Sequence, residues 1–499
     1  NISKWDVSSG TDFSHMFEVA EILNPDLSQW DVSSGTDFNS MFSGAELFNA
    51  DISQWDVSSG TDFGYMFAWA ENFDGDVSQW IVSGGSDFER MFFGAISFDS
   101  DISKWDVSSG TDFSYMFSGA AIFNADLSQW DVSSGKDFSY MFSNAGSFDT
   151  NISQWDVSSG TGFGNMFFYA DIFNSNISQW DVSSGTNFGG MFNYASSFNA
   201  DISQWDVSSG TIFHDMFRLA SSFNADLSKW DVSSAEDFLF MFEGATSFNG
   251  DISNWDVSSC TDFSFMFVQA EQFNVDLSEW DVSSGIHFSH MFFGAASFSS
   301  DISQWDVSSG TDLSYMFASA SSFNPNISTW DVSSVTNFRG MFSNAYSFNV
   351  DLSQWDVSSG TDFNSMFYSA SIFNKNLCGW QVMEGADTLD MFRSSGCPYH
   401  DLTEETICQI CAPTALPSIS PSANPTISPS PTISLTPTIS PTISPSPTTA
   451  CVDIVGWVDS FGEGCEPYVE YGCGGADLFA DLNGVSALQA CCVCQNNDN

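Results

Sequence analysis

The sequence predicts an α/β solenoid of 25-residue coils with a parallel strand ladder, followed by a small disulfide-rich C-terminal domain. Three observations lead to this prediction. A unit of 25 residues recurs from residue 1 to about residue 400 without insertion or deletion. Each unit contains one apolar pattern of a short strand and one of a short helix. Ten of the eleven cysteines lie between Cys378 and Cys494, close to the end of the chain.

The 25-residue repeat sets the domain boundaries of the first 400 residues. With places numbered 1 to 25 in each unit, Trp stands at place 5, Val at place 7, Met at place 16 and Phe at place 17 in all sixteen units. Residues 1–375 form fifteen regular repeats. Residues 376–411 contain a degenerate, cysteine-bearing unit, which is typical of a terminal repeat that covers a core.

The unit of residues 101–125 shows how a coil is expected to fold. Trp105 and Val107 alternate with Asp106, so a short strand would turn the two apolar side chains to one face. Glycine at place 10 in thirteen units suggests a turn with positive φ. A helix would follow, with its apolar face made by Phe113, Met116, Phe117 and Ala120. Because one unit cannot bury this face alone, stacked copies are expected to share a core.

The charge of the chain excludes several classes of partner. It has 63 acidic and 9 basic residues, which argues against binding nucleic acid or anionic lipid. No apolar run reaches the roughly 18 residues needed to span a bilayer. Cations, cationic polymers and mineral surfaces are the partners that such a surface would attract, although acidity also serves solubility alone.

The repeat resembles the leucine-rich-repeat-like units of BspA-type surface proteins, whose pattern begins W-D-[VT]-S and continues to M-F and F-N. The unit of residues 326–350 matches it at Trp330, Asp331, Val332, Ser333, Val335, Thr336, Met341, Phe342, Ala345, Phe348 and Asn349. Most other units have Gly instead of Val at place 10 and Phe instead of Met at place 13. The resemblance implies an extracellular, surface-attached or adhesive protein with no catalytic residues.

The C-terminal part has a different composition. Residues 412–450 are rich in Pro, Ser and Thr and carry no charge, which predicts an extended polyproline linker. Residues 451–499 hold six cysteines and resemble cysteine-rich modules of secreted proteins from diatoms and related algae. We expect Cys260 to be free. Two disulfides are expected among Cys378, Cys397, Cys408 and Cys411, and three among Cys451, Cys465, Cys473, Cys491, Cys492 and Cys494, with the pairing within each group open.

Aspartate at place 6 is the first candidate for a functional site. It occurs as Asp6, Asp31, Asp56, Asp106, Asp131, Asp156, Asp181, Asp206, Asp231, Asp256, Asp281, Asp306, Asp331 and Asp356. Stacked carboxylates about 4.8 Å apart would repel by roughly 3 kcal/mol per pair at an effective dielectric constant near 20. Three remedies remain open. The following serines could donate hydrogen bonds in an Asx-turn, Ca²⁺ could bridge neighbouring carboxylates, or raised pKa values and solvent screening could reduce the repulsion.

Other constellations are weaker. Asn1, Asn151, Asn176 and Asn326 each begin "NIS", an N-glycosylation sequon at place 1. His287 and His290 would meet on one helix face, but the five histidines form no metal or triad pattern. No phosphate loop or nucleophile elbow occurs. We therefore expect no enzyme activity and no cofactor, with Ca²⁺ as the one exception left open.

Two functions fit these features. The first is a secreted structural repeat protein at the cell surface or in the extracellular matrix, assembling as a homo-oligomer or fibre through end-to-end contacts. This hypothesis rests on the first repeat, which is as apolar as an interior one, so that upstream residues or another subunit should cover it. The second is an adhesin that uses its repeated acidic face to bind glycans, Ca²⁺ or a mineral surface.

Overall fold

The computed structural model describes residues 2–377 and 379–397. These residues belong to a compact unit, Asn1–Pro417, and the second unit is Ser418–Asn499. The linker predicted for residues 412–450 and the six-cysteine module predicted for residues 451–499 lie outside the described residues.

The 25-residue repeat is the structural unit, and each coil stacks on the next. The rings of Trp30 and Trp55 stack at 6.3 Å and 4°, and those of Phe42 and Phe67 at 5.7 Å and 5°. Equivalent pairs continue along the array, so a single core of Trp, Phe, Met, Val, Ile, Leu and Ala side chains runs through it. This core follows from the constancy of places 5, 7, 16 and 17.

The predicted α/β architecture is wrong. Among the described residues the helix content is limited to one 3₁₀-helix, Ile2–Lys4. These residues also form no strand of more than one residue, because pairing is confined to isolated parallel bridges at place 12, such as Asp12 to Asp37. The leucine-rich-repeat-like strand ladder and helices are replaced by coils made of consecutive turns.

Two turns replace the predicted strand. The N–H of Trp105 donates to the carbonyl of Ile102 at 3.1 Å, and the N–H of Gly110 donates to that of Val107 at 2.8 Å. Trp105 and Val107 are both buried, as the alternating pattern requires. However, their backbone groups close local turns and do not pair with the neighbouring coil, so the segment cannot be a strand.

The predicted helix is a series of turns with two left-handed residues. The N–H of Met116 donates to the carbonyl of Phe113 at 3.2 Å, three residues before it, and Ala120 donates likewise within its own turn. Tyr115 has φ of 56° and Gly119 has φ of 74°. Places 15 and 19 have positive φ in every coil, and this conformation cannot continue a right-handed helix.

These turns free alternate N–H groups for the next coil. In the coil of residues 101–125 the bonds are Phe113 to Asp137 (2.9 Å), Tyr115 to Ser139 (2.8 Å), Phe117 to Met141 (2.9 Å) and Gly119 to Ser143 (2.7 Å), each from N–H to carbonyl. The segment expected to be helical therefore provides the main ladder between coils. The four apolar side chains predicted for the helix face are nevertheless buried in the core.

The first and last coils of the described array differ in which of their apolar side chains are exposed to solvent. Trp5 is 53% exposed, whereas its equivalents from Trp30 to Trp380 are at most 8% exposed. In the last coil Met391 and Phe392 are 1% exposed. No helix in the described residues is long and apolar enough to cross a membrane.

Candidate functional site

The aspartates at place 6 form an exposed column on the outside of the array. In each, Oδ1 accepts a hydrogen bond from the backbone N–H of the serine two residues later, at 3.0–3.2 Å. This arrangement is an Asx-turn. It is present at all fourteen aspartates that the sequence analysis singled out, from Asp6 to Asp356.

These turns also act on the charge of the carboxylates. Hydrogen bonds from the hydroxyl and the backbone N–H of the serine two residues later hold the carboxyl pKa below its usual value at Asp6, Asp31, Asp131, Asp206, Asp281, Asp331 and Asp356. The neighbouring carboxylate opposes this effect at Asp6 and Asp331, but its contribution is the smallest of the causes. At these seven aspartates local donors therefore outweigh repulsion between carboxylates.

A second column of Asp or Asn at place 1 forms the same turn. The Oδ1 atoms of Asn151, Asn176 and Asn326, three of the predicted glycosylation sites, accept the N–H of the following serines at 3.0, 3.0 and 3.2 Å. All three side chains are exposed. The turn uses the amide oxygen, whereas N-glycosylation would use the amide nitrogen. Asn1 lies outside the described residues.

Only two of the cysteines are described. Cys260 is free and buried, and burial raises the pKa of its thiol to about 12. Cys397 is buried and disulfide-bonded. The other predicted disulfide cysteines, which lie outside the described residues, are Cys378, Cys408, Cys411, Cys451, Cys465, Cys473, Cys491, Cys492 and Cys494. Their pairing stays a prediction.

The described residues contain no group of three or more His, Cys, Asp or Glu side chains that could hold a metal ion. His287 and His290 do not share a helix, since the described residues around them form turns. The ring of His290 is sandwiched between those of Phe265 and Tyr315, with centroids at 4.6 and 4.8 Å. Burial lowers its pKa to about 4, so the imidazole is neutral at pH 7.

Two structural columns were missed by the sequence analysis. At place 24 the side-chain oxygen of one residue accepts the backbone N–H of the same place in the next coil, as between Asn199 and Asn224 at 2.9 Å. At place 15 aromatic rings stack along the array, as Tyr115 and Tyr140 do at 4.4 Å. The recurrence of Asn or Asp at place 24 was a signal for the first column. No signal in the sequence marked the left-handed backbone beneath the second.

Stacked 25-residue coils with acidic outer columns define the chain as a repeat protein. The chain belongs to the family described as "Mycoplasma protein of unknown function, DUF285", which matches residues 1–95, 76–172, 150–246, 226–321 and 287–404. The repeats of this family thus tile the whole array, in agreement with the resemblance based on the W-D-V-S and M-F motifs. Nothing in the comparisons supports the resemblance of residues 451–499 to algal modules.

Other comparisons add little. No curated protein matches the sequence. One similar solved structure is titled "Crystal structure of TLR13-ssRNA13 complex", with 10% identity over 68% of this chain and a TM-score of 0.20. The similarity spans about half of that protein, 51%. A TM-score this low carries no argument about the fold or the ligand of this chain.

Proposed function

We propose that this protein is a non-enzymatic structural repeat protein of the extracellular space, whose array assembles end to end into a surface layer or fibre. The observation that carries the proposal is that a coil face is completed by another coil, whether from upstream residues or from a second copy, as the first described coil illustrates. There Trp5 is 53% and Met16 37% exposed, although place 5 and place 16 are buried in the interior coils.

The backbone of the first coil supports the same proposal. In interior coils the carbonyls at places 12, 14, 16 and 18 accept N–H groups from the coil before them. The carbonyls of Asp12, Ser14, Met16 and Glu18 accept none from the described residues. An apolar surface with a row of open acceptors recruits further strands or coils.

The two faces of a coil fit each other but are not identical. The two faces of a coil differ, because the N–H groups at places 13, 15, 17 and 19 point to the following coil and the indole N–H at place 5 points to the preceding one. Two copies that meet at coil faces therefore join head to tail. A head-to-tail contact that does not close on itself propagates into a filament. The acidic columns on the sides would repel neighbouring arrays, which favours growth along the axis.

Light scattering of matched variants tests this function. Trp5→Asp should abolish concentration-dependent growth, because it places a charge on the open face. Trp69→Asp is the control, since Trp69 is 51% exposed but lies on the side of the array. Assembly that survives Trp5→Asp, or that Trp69→Asp abolishes equally, would contradict end-to-end contact through the first coil.

A location outside the cell is part of the proposal. It is supported by the cluster of cysteines near the C-terminus and by the exposed sequons at Asn151, Asn176 and Asn326. Mass spectrometry of native material should find glycan on at least one of these asparagines. Unmodified asparagines together with reduced cysteines throughout residues 378–494 would contradict this location.

The alternative of an adhesin is favoured by one observation on the acidic column. At Asp106 both hydrogen bonds, from the N–H and the hydroxyl of Ser108, go to Oδ1. The second carboxylate oxygen is therefore available to a cation, a glycan or a mineral surface. Calorimetric titration of monomeric protein with Ca²⁺ would show binding if this alternative holds, and no heat of binding if it does not.

A further inference from the structure

Glycine at place 10 stands where a side chain has no room. A Cβ atom on Gly60 would lie 2.4 Å from Cζ of Phe63 in its own coil. A Cβ on Gly35 would also lie 2.9 Å from the ring of Phe13 in the preceding coil. Apart from Gly385, the described place-10 glycines do not have positive φ. Close packing against the place-13 rings, and not the expected left-handed turn, therefore selects glycine.

Three coils carry a larger residue at place 10, and in one of them the preceding coil compensates. Val335 follows a coil in which place 13 is Leu313 instead of phenylalanine. The smaller side chain leaves room, and the ladder is intact: the N–H of Phe338 donates to the carbonyl of Asp362 at 2.8 Å.

The other two, Ala235 and Cys260, stand in consecutive coils and have no such compensation. The series of place-12 bridges, continuous elsewhere from Asp12 to Asp387, is interrupted between Asp237 and Asp262. Within the described residues the N–H of Phe238 makes none of the intercoil bonds that its regular equivalents make.

The place-13 ring beside the interrupted bridge, Phe238, is displaced. Against Phe213, across the preceding junction, it is tilted by 31° at 6.4 Å, whereas Phe163 and Phe188 stack at 5.7 Å and 4°. Across the interrupted junction Phe238 packs on Trp255 at 5.6 Å. The two added side chains at place 10 thus coincide with the loss of the backbone bridge and with a shift of this ring toward the tryptophan column.

The opposite side of the same junction is regular. Trp230 and Trp255 stack at 6.4 Å and 5°, and the N–H of Phe242 donates to the carbonyl of Met266 at 2.9 Å. The junction between these two coils is therefore weakened at places 10–13 and not on its tryptophan side. In a stacked array, whose stability is roughly a sum of coil and interface contributions, such a junction opens before its neighbours.

We propose that the junction between the coil of residues 226–250 and that of residues 251–275 is a hinge, which opens at places 10–13 and exposes the Cys260 thiol. The tryptophan side of the junction remains closed. Cys260 is 1% exposed in the closed array. Alkylation of this thiol therefore reports the open state directly.

Hydrogen exchange and thiol alkylation of the full chain test the hinge, with the modified peptide identified by mass spectrometry. In the segment of residues 236–238 the amide of Phe238 faces this junction, and it should exchange at least about tenfold faster than the amide of Phe113 in residues 111–113, at the same place in a regular coil. Ala235→Gly, which keeps the reporter thiol, should slow Cys260 alkylation by at least about tenfold. Equal exchange in the two segments, or alkylation unchanged by Ala235→Gly, would overturn the proposal.

A converse variant tests the packing rule behind the hinge. Leu313→Phe removes the room beside Val335 and should create a second fast-exchanging junction at residues 336–338. Exchange at those residues that stays as slow as in the parent protein would show that crowding at place 10 does not open the ladder, and the proposal would fail.

Discussion

The indole N–H of Trp130 donates a 3.0 Å hydrogen bond to the carbonyl of Ile102 in the preceding coil. The same bond recurs at 2.8–3.2 Å for each place-5 tryptophan from Trp30 to Trp380. Tryptophan at place 5 thus provides both a stacked ring and a second donor to a buried carbonyl, which also accepts the backbone N–H of a turn in its own coil.

This dual role predicts the cost of changing Trp205. Trp205→Ala should destabilise its coil by about 3–5 kcal/mol, the usual cost of emptying a packed aromatic site. Trp205→Phe should cost about 0.5–1.5 kcal/mol, because the Ile177 carbonyl loses one of its two donors and keeps the N–H of Trp180. Trp5→Phe is the control and should cost little, since Trp5 is exposed. Hydrogen exchange of the affected coils measures the effect, and equal losses at Trp205 and Trp5 would contradict it.

The positive φ at places 15 and 19 predicts how substitutions there change stability. Asn344 has φ of 56°, so Asn344→Ile should destabilise its coil by about 1–2 kcal/mol, whereas Asn344→Gly should be tolerated. Ser347→Ile is a control on a half-buried neighbour without positive φ. Thermal unfolding distinguishes these variants. A similar loss for both isoleucine variants would show that φ is not the cause.

His290 predicts a pH dependence of stability. Its pKa is about 4 in the folded array against 6.5 for an ordinary histidine, because burial penalises the charged form, while Asp312 opposes this effect. Between these two values the unfolded chain binds more protons, so stability should fall as pH is lowered from about 6.5 to 4, by roughly 3 kcal/mol in total. Unfolding of the parent protein and of His290→Phe across this range measures the difference. A parallel decline in both would contradict the prediction.

The acidic column predicts independence from cations. Because the serine donors already hold the carboxylates, EDTA should leave the melting temperature of the array unchanged. If cations instead neutralise the column, EDTA should lower the melting temperature, and a series of Asp→Asn substitutions at place 6 should remove that sensitivity. Since the pKa of residues such as Asp131 is lowered, their stabilisation should be lost only as pH falls below the usual range of a carboxyl group.

The sequence was sufficient to predict the coils and their core but not the backbone within them. Periodic Trp, Met and Phe identified the buried faces, because burial depends on the side chain. Phe113, Met116 and Phe117 have helical spacing, yet a turn with a left-handed residue at Tyr115 places the same side chains inward. Since Tyr, Arg and Asn all occur at place 15, residue type carried no mark of positive φ there. The serines after each place-6 aspartate did indicate a turn.

Electron microscopy of purified full-length protein at micromolar concentration tests the central claim of end-to-end assembly most directly. We expect unbranched filaments in which the array axis lies along the fibre, with a coil repeat of about 4.8 Å continuing from one copy to the next. The Trp5→Asp variant should yield separate particles under the same conditions. Monodisperse single particles of the parent protein, with the first coil exposed to solvent, would contradict the account.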